Sequence, residues 1–230
     1  MFFLAPHPHL AKPRRGSPRM FRIDWVETYF SRVKWWHVPL IWTPVAILCV
    51  RDTLLQPEST VGLTAGVVAA GIAAWTLLEY VLHRYLFHFA PNPAKTWQVD
   101  LHWLIHGIHH DYPWDPDRLV MPPFATLVLS LLLWPLFRAV GGPVYGTTFY
   151  AGVLLGYMTY DLLHYYVHHA VPTTAVGRWL RRYHLLHHFA SPELRYGITT
   201  PLWDLVFGTA PRDKAAGLDD AGVSALEDSH

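Results

Sequence analysis

Residues 60–78, TVGLTAGVVAAGIAAWTLL, run for nineteen positions without a charged side chain. A helix that satisfies its own backbone needs about 20 apolar residues to cross a bilayer, so this run is read as a membrane span. Residues 144–160 form a second charge-free run, and residues 124–137 a third, interrupted by Pro135. Only Gly141, Gly142 and Pro143 follow Val140 before the next run begins, and such a turn leaves room for nothing but a tight hairpin. Residues 38–50 add thirteen apolar positions before Arg51 and Asp52, and extending them to Leu55 gives a further span. The expected fold is all-α, an integral membrane protein with four transmembrane helices. Composition agrees, since 52% hydrophobic and 15% charged residues, eleven tryptophans and a mean hydropathy of +0.16 are apolar for a chain of 230 residues.

The net charge of +1 conceals an uneven distribution of basic residues. With four spans, Arg51 and Arg138 fall on one side, and the other sixteen of the eighteen Lys and Arg residues fall on the opposite side. The richer side is the cytoplasmic one by the positive-inside rule. No nucleic-acid partner is expected. The single cysteine, Cys49, lies in an apolar run, so one chain can build neither a disulfide framework nor a thiolate metal site. The first twenty residues lack the apolar core and cleavage site of a secretory signal.

Three segments are expected. Residues 1–36 are a basic N-terminal tail followed by an interfacial helix, in which Phe21, Trp25, Tyr29, Phe30, Val33 and Trp36 recur at helical spacing. The same periodicity also suits an amphipathic helix packed on a protein core. Residues 37–213 form the membrane domain, and residues 214–230 a disordered acidic tail.

Twelve of the sixteen histidines gather in four groups beside the spans. These are His83 and His88; His102, His106, His109 and His110; His164, His168 and His169; and His184, His187 and His188. Spacings of three and four place side chains on one helical face, and the proposed topology brings all four groups to the same membrane surface. Ionisable groups near hydrocarbon need partners, and packing so many imidazoles without a metal leaves ring nitrogens unsatisfied. Ten donors, His83, His88, His106, His109, His110, His164, His168, His184, His187 and His188, are too many for one ion and suit two. His102 and His169 are placed behind them as supporting residues. A set of imidazoles suits zinc, copper, iron or nickel and argues against calcium, magnesium or an iron–sulfur cluster. Two ions with neutral ligands keep their positive charge, which favours binding dioxygen, peroxide or hydroxide beside a lipid chain held among the spans.

The order HxxxxH, HxxHH, HxxxH, HxxHH, with HHDYPWDPDRLVMPP at 109–123, GYMTYDLLHYYVHH at 156–169 and YGITTPLWDLVFGT at 196–209, resembles the fatty acid 2-hydroxylase branch of the fatty acid hydroxylase and sterol desaturase superfamily. The resemblance runs from about Glu79 to Thr209. It implies a membrane-bound diiron monooxygenase with a histidine-rich dimetal cap on the cytoplasmic face, in which dioxygen and two electrons place a hydroxyl on carbon 2 of a long acyl chain, free or within a sphingolipid. The ten histidines fall on the matching motif positions. Iron is the physiological metal expected, and zinc can displace it in purified protein by the usual affinity order. Tyr160 and Asp161 match a tyrosine–aspartate pair and are the candidate catalytic residues; Tyr160 also reads as an interface aromatic. Glu79 and Asp204 are candidates to steady the ligands through their second ring nitrogens, and Arg118 to pair with a metal-site carboxylate or a lipid head. Eukaryotic members commonly carry a cytochrome b5-like domain, and none is recognisable here, so a separate donor, cytochrome b5-like or ferredoxin-like, is expected to supply electrons. Hydroxylation of a carotenoid or sterol is the alternative within the superfamily, and metal transport or storage the alternative outside it.

Overall fold

The computed structural model describes residues 13–211, and among these the regular elements are all helical. A short helix α1 (Asp24–Val26) runs into a π turn at Glu27–Ser31. The long helices follow: α2 (His37–Leu54), α3 (Val61–Val81) extended by a π turn at Leu82–Phe87, and α6 (Pro123–His169). Between α3 and α6 lie α4 (Thr96–His102), a π turn at Trp103–Gly107 and α5 (Ile108–Asp111). The chain closes with α7 (Ala175–Phe189) and α8 (Leu202–Val206). The expected acidic tail lies outside the described residues.

Two stretches, Val61–Phe87 and Pro123–His169, are long and apolar enough to cross a membrane. Only 17% and 11% of their most apolar windows is buried within the protein, so they are not the core helices of a soluble domain. Leu131, Leu132, Ile47 and Leu63 all face outward, and a band of that size needs hydrocarbon rather than water beside it. The chain is thus a helical membrane protein.

The second stretch is a hairpin rather than one rod. Gly142 sits at φ 75° and ψ 172°, outside helical space, and Pro143 follows it. Positive φ costs glycine nothing, which is why the turn falls there. Its two arms face each other. Phe137 and Phe149 meet edge to face at 5.0 Å, Thr126 Oγ1 lies 3.1 Å from the Tyr157 hydroxyl, and the Met121 N–H donates to Asp161 across forty residues. The turn meets the α2–α3 connection through the Tyr145 hydroxyl, which donates to the Glu58 carbonyl at 3.2 Å.

The hairpin packs on α2 and α3 around Trp42, Trp75, Tyr150, Leu154, Tyr157 and Tyr160. Contact between α3 and α6 is backbone-close. A Cβ on Gly152 would stand 2.2 Å from the Val68 carbonyl oxygen, and one on Gly71 2.3 Å from that of Phe149.

The N-terminal segment departs from the expected helix over residues 21–36. Helical geometry ends at Ser31, and Arg32 is extended at φ −105° and ψ 105°. The reason is a better partner: the Val33 N–H donates to the Asp117 carbonyl at 2.7 Å, and Val33 is buried. Trp25, Tyr29, Phe30, Trp35 and Trp36 face outward, while Glu27 points in. Glu27 accepts from the Met20 and Phe21 N–H groups at 2.9 and 3.0 Å and pairs with Arg118, which also donates to Asp115 at 2.7 Å. Arg118 therefore fastens this segment to the loop before α6, and not to a metal-site carboxylate or a lipid head.

Replacing Gly152 with alanine forces α3 and α6 apart against backbone, where overpacking typically costs about 1–3 kcal/mol. Thermal unfolding in detergent followed by tryptophan fluorescence is expected to show a lower midpoint for Gly152→Ala. An unchanged midpoint would mean the two helices are not in backbone contact.

Candidate metal centre

The four histidine motifs converge at the end of the bundle away from the hairpin turn, in two sets. His83, His88, His106, His110 and His187 form one, and His109, His164, His168, His184 and His188 the other; within each set the ligand nitrogens all lie within 4.8 Å of one another. Local geometry explains how each spacing serves. In an α-helix residues five apart diverge by about 140°, which would separate His83 from His88. The π turn repairs this, because the His88 N–H donates to the His83 carbonyl at 3.1 Å and stacks one residue over the other. His164 and His168 are four apart within α6 and need no such device.

The two HxxHH motifs divide their members. His106 and His110, four apart, face the first set, while His109 turns to the second. His184 and His188 face the second set, while His187 turns to the first. Each motif thus lends its middle histidine to the other's set, and the His110 and His188 rings stack at 4.1 Å where the sets adjoin.

Ring nitrogens approach closely throughout. Nε2 of His106 lies 3.2 Å from that of His83 and 3.1 Å from that of His110, and Nε2 of His187 lies 3.0 Å from that of His88. In the second set, Nε2 of His184 is 2.8 Å from that of His168 and 3.0 Å from that of His188. Donors about 2.1 Å from one ion and at right angles to each other stand about 3.0 Å apart, so these spacings match those between neighbouring ligands of one ion. The buried Nε2 atoms of His109 and His164 have no hydrogen-bond partner among the described residues. The two sets contain neither cysteine nor carboxylate. Such a donor set fits a borderline transition-metal ion at each position.

Two tautomers are fixed by backbone. His83 Nδ1–H donates to the Tyr196 carbonyl at 2.6 Å, and His187 Nδ1–H to that of Leu194 at 2.7 Å. A carbonyl only accepts, so the proton is on Nδ1 and the Nε2 lone pair faces the first set. The loop carrying these carbonyls is itself tied down. Asp204 accepts from the Tyr196 and Gly197 N–H groups at 2.9 and 2.8 Å and from the Thr209 hydroxyl at 2.7 Å. Glu79 accepts from the Ile198 and Thr199 N–H groups at 2.6 and 2.9 Å and from the Thr199 hydroxyl at 2.6 Å.

Electrostatics keeps the rings neutral. Burial, followed by repulsion from neighbouring imidazoles, holds His106, His110, His184 and His188 well below the ordinary histidine range. Burial does the same to His187, against the raising effect of its bond to Leu194, and takes His109 down to about 3. At neutral pH these rings present lone pairs, not protons.

Of the remaining candidates, Tyr160 lies beside the second set, its ring 5.8 Å from that of His164 and 5.8 Å from that of Trp75. Asp161 is buried, and its carboxylate accepts from the Met121 N–H at 3.0 and 3.2 Å, which anchors the RLVMPP loop. Glu79 and Asp204 act on the histidines through the 194–200 loop rather than by touching a ring. His102 packs against Phe89 at 5.5 Å and His169 against Tyr165 at 4.5 Å, and neither joins a set. Sequence reasoning missed the carbonyls of Leu194 and Tyr196, which no side-chain motif can reveal. It also missed Phe87, whose ring stacks on His106 at 5.2 Å.

Comparison with known proteins points to one family. The model of the fatty acid hydroxylase family matches residues 68–209. Dihydroceramide fatty acyl 2-hydroxylase FAH1 of Arabidopsis thaliana is 42% identical over 201 residues, covering 87% of this chain and 83% of that protein. Fatty acid 2-hydroxylase of Mus musculus is 32% identical over 230 residues, covering 91% of this chain and 60% of that protein. A solved structure of full-length scs7p, with only its hydroxylase domain visible, superimposes with a TM-score of 0.76 at 35% identity, covering 81% of this chain and 70% of that one.

The depressed histidines make the metal-free fold sensitive to acid. Unfolded rings bind protons below about pH 6.5, whereas buried His106, His184 and His188 do not. The unfolded state then holds more protons, so stability is full above that pH and falls as pH drops below it. Metal-stripped protein is expected to melt at a lower temperature at pH 5 than at pH 7.5 by differential scanning fluorimetry; equal midpoints would contradict burial of neutral rings.

Proposed function

The chain belongs to the fatty acid hydroxylase family, and on that footing we propose that it is a fatty acid 2-hydroxylase, a membrane-bound monooxygenase that hydroxylates carbon 2 of a long acyl chain, free or within a sphingolipid. The observation carrying this reading is the gathering of ten histidines into two five-nitrogen sets at one end of an apolar helical bundle. The reaction converts one C–H bond to C–OH, reduces the second oxygen atom of dioxygen to water, and consumes two electrons and two protons. When bound, a pair of redox-active ions supplies the activation of dioxygen, and iron is the metal we assign, with zinc as its substitute in purified protein.

The protein's own part is to bind, orient and exclude water. His83, His88, His106, His110 and His187 would hold one ion, and His109, His164, His168, His184 and His188 the other. Neighbouring methylenes of an acyl chain have similar reactivity, so selection of carbon 2 has to come from placement. Tyr160 stands between the apolar core at Trp75 and the ring of His164, and we assign it the contact with the substrate near the reacting carbon. Asp161 holds the adjoining loop through Met121, a positioning role.

The membrane placement follows the same reading. Four crossing segments are assigned: α2, α3 with its π turn, and the two arms of α6. The eighteen residues of α2 span about 27 Å at the usual rise, close to a hydrocarbon core of about 30 Å. Residues 1–36 serve as tail and interfacial segment, 37–213 as the hydroxylase domain and 214–230 as an acidic tail. With these four segments, sixteen of the eighteen Lys and Arg residues of the sequence fall on the histidine side, which supports a cytoplasmic orientation for it. There a separate cytochrome b5-like or ferredoxin-like donor would deliver electrons.

Lipid extracts of cells expressing the protein, analysed by mass spectrometry, are expected to contain 2-hydroxy acyl chains. His106→Ala and His187→Ala are each expected to abolish that product while leaving folded protein in the membrane. Wild-type extracts with hydroxylated carotenoids or sterols in place of 2-hydroxy acyl chains would overturn the substrate class. Full activity in both variants would overturn the ligand assignment.

A further inference from the structure

The two histidine sets are supported differently from behind. In the first, the Nδ1–H groups of His83 and His187 each reach a carbonyl, at 2.6 and 2.7 Å, on a loop fixed by buried Asp204 and Glu79. In the second, the Nδ1 atoms of His164, His168, His184 and His188 are buried and meet no hydrogen-bond partner among the described residues. Binding a metal through Nε2 leaves the ring proton on Nδ1. Where a carbonyl receives that proton, the ring is held in orientation and made a stronger donor to the metal. Where nothing receives it, a desolvated N–H is left unmatched and weakens the bound state.

From this contrast, and resting on the two-ion reading above, we propose that the sites are held unequally. The ion among His83, His88, His106, His110 and His187 is the retained one, the ion among His109, His164, His168, His184 and His188 is the one that exchanges, and Asp204 is the positioning residue that sets the difference. Asp204 is fully buried and spends both carboxylate oxygens on the loop, Oδ1 on the Tyr196 N–H and the Thr209 hydroxyl and Oδ2 on the Gly197 N–H. It therefore controls the carbonyl that orients His83. An asparagine there keeps one oxygen and turns an N–H toward a donor, which loosens the loop without removing a ligand.

The test is retention of zinc by the full chain in lipid nanodiscs, loaded with two ions and titrated with a competing chelator, with zinc per chain read by elemental analysis. Wild type is expected to lose its zinc in two steps, the second requiring ~10–100-fold more free chelator, the factor that such supporting partners typically contribute. His184→Ala is expected to hold one ion that resists as the retained ion does, and His187→Ala to lack that resistant ion. Asp204→Asn is expected to bring the second step down toward the first by ~10–100-fold while leaving the first in place. Should Asp204→Asn not fold, Thr199→Val, which removes only the hydroxyl donor to Glu79, is expected to shift the second step in the same direction by less. Wild-type ions leaving together, or a resistant ion that survives in His187→Ala but not in His184→Ala, would overturn the inequality. A wild-type chain that takes up fewer than two ions would overturn the two-ion reading itself, and the inequality with it.

Discussion

Ten imidazoles crowded into one volume tolerate each other only as neutral rings whose lone pairs share a cation. Protonating any of them places positive charge beside others at ring separations under 5 Å, where eight of the ten rings are buried and His88 and His110 are half-buried. Burial and mutual repulsion both drive the rings toward the neutral form. What remains is a set of inward nitrogens that repel one another unless a metal lies between them. The rest of the molecule serves this arrangement: helices long enough to reach the membrane surface together, turns that aim the rings, and a loop that receives the outward protons.

The apolar bundle and the polar cap depend on each other. α3 and the second arm of α6 run in backbone contact at Gly71 and Gly152, and each delivers its histidines from its C-terminal end. The hairpin turn at Gly142 keeps the charge of Arg138 away from that end, since Arg138 donates to Thr147 across the turn at 3.2 Å. Separation of this kind sets apolar side chains along the bundle and the histidines at one end of it.

Much of this was legible in the residues because it is written in side chains. Charge-free runs marked the long helices, Gly141, Gly142 and Pro143 marked the hairpin, and the histidine spacings marked the donors. The parts that escaped are carried by backbone or by long-range partners. Nothing in the letters from Leu82 to Phe87 announces a π turn, since the extra residue is tolerated for the sake of the ring orientation it allows. The carbonyls of Leu194 and Tyr196 carry no letter at all. Glu27 looked like the polar face of an interfacial helix and proved to be the inward anchor of Arg118, ninety-one residues away. The division of the histidines between the two sets was equally hidden, because adjacent histidines such as His109 and His110 part company only once the helix direction is known.

That division bears on how the protein is made. Because His187 completes the first set, and His184 and His188 the second, a nascent chain still on the ribosome before α7 emerges possesses neither pocket in full. Membrane insertion of the long apolar helices α3 and α6 can therefore finish before either set is complete. The segment carrying α7 acts as a keystone for both sets at once.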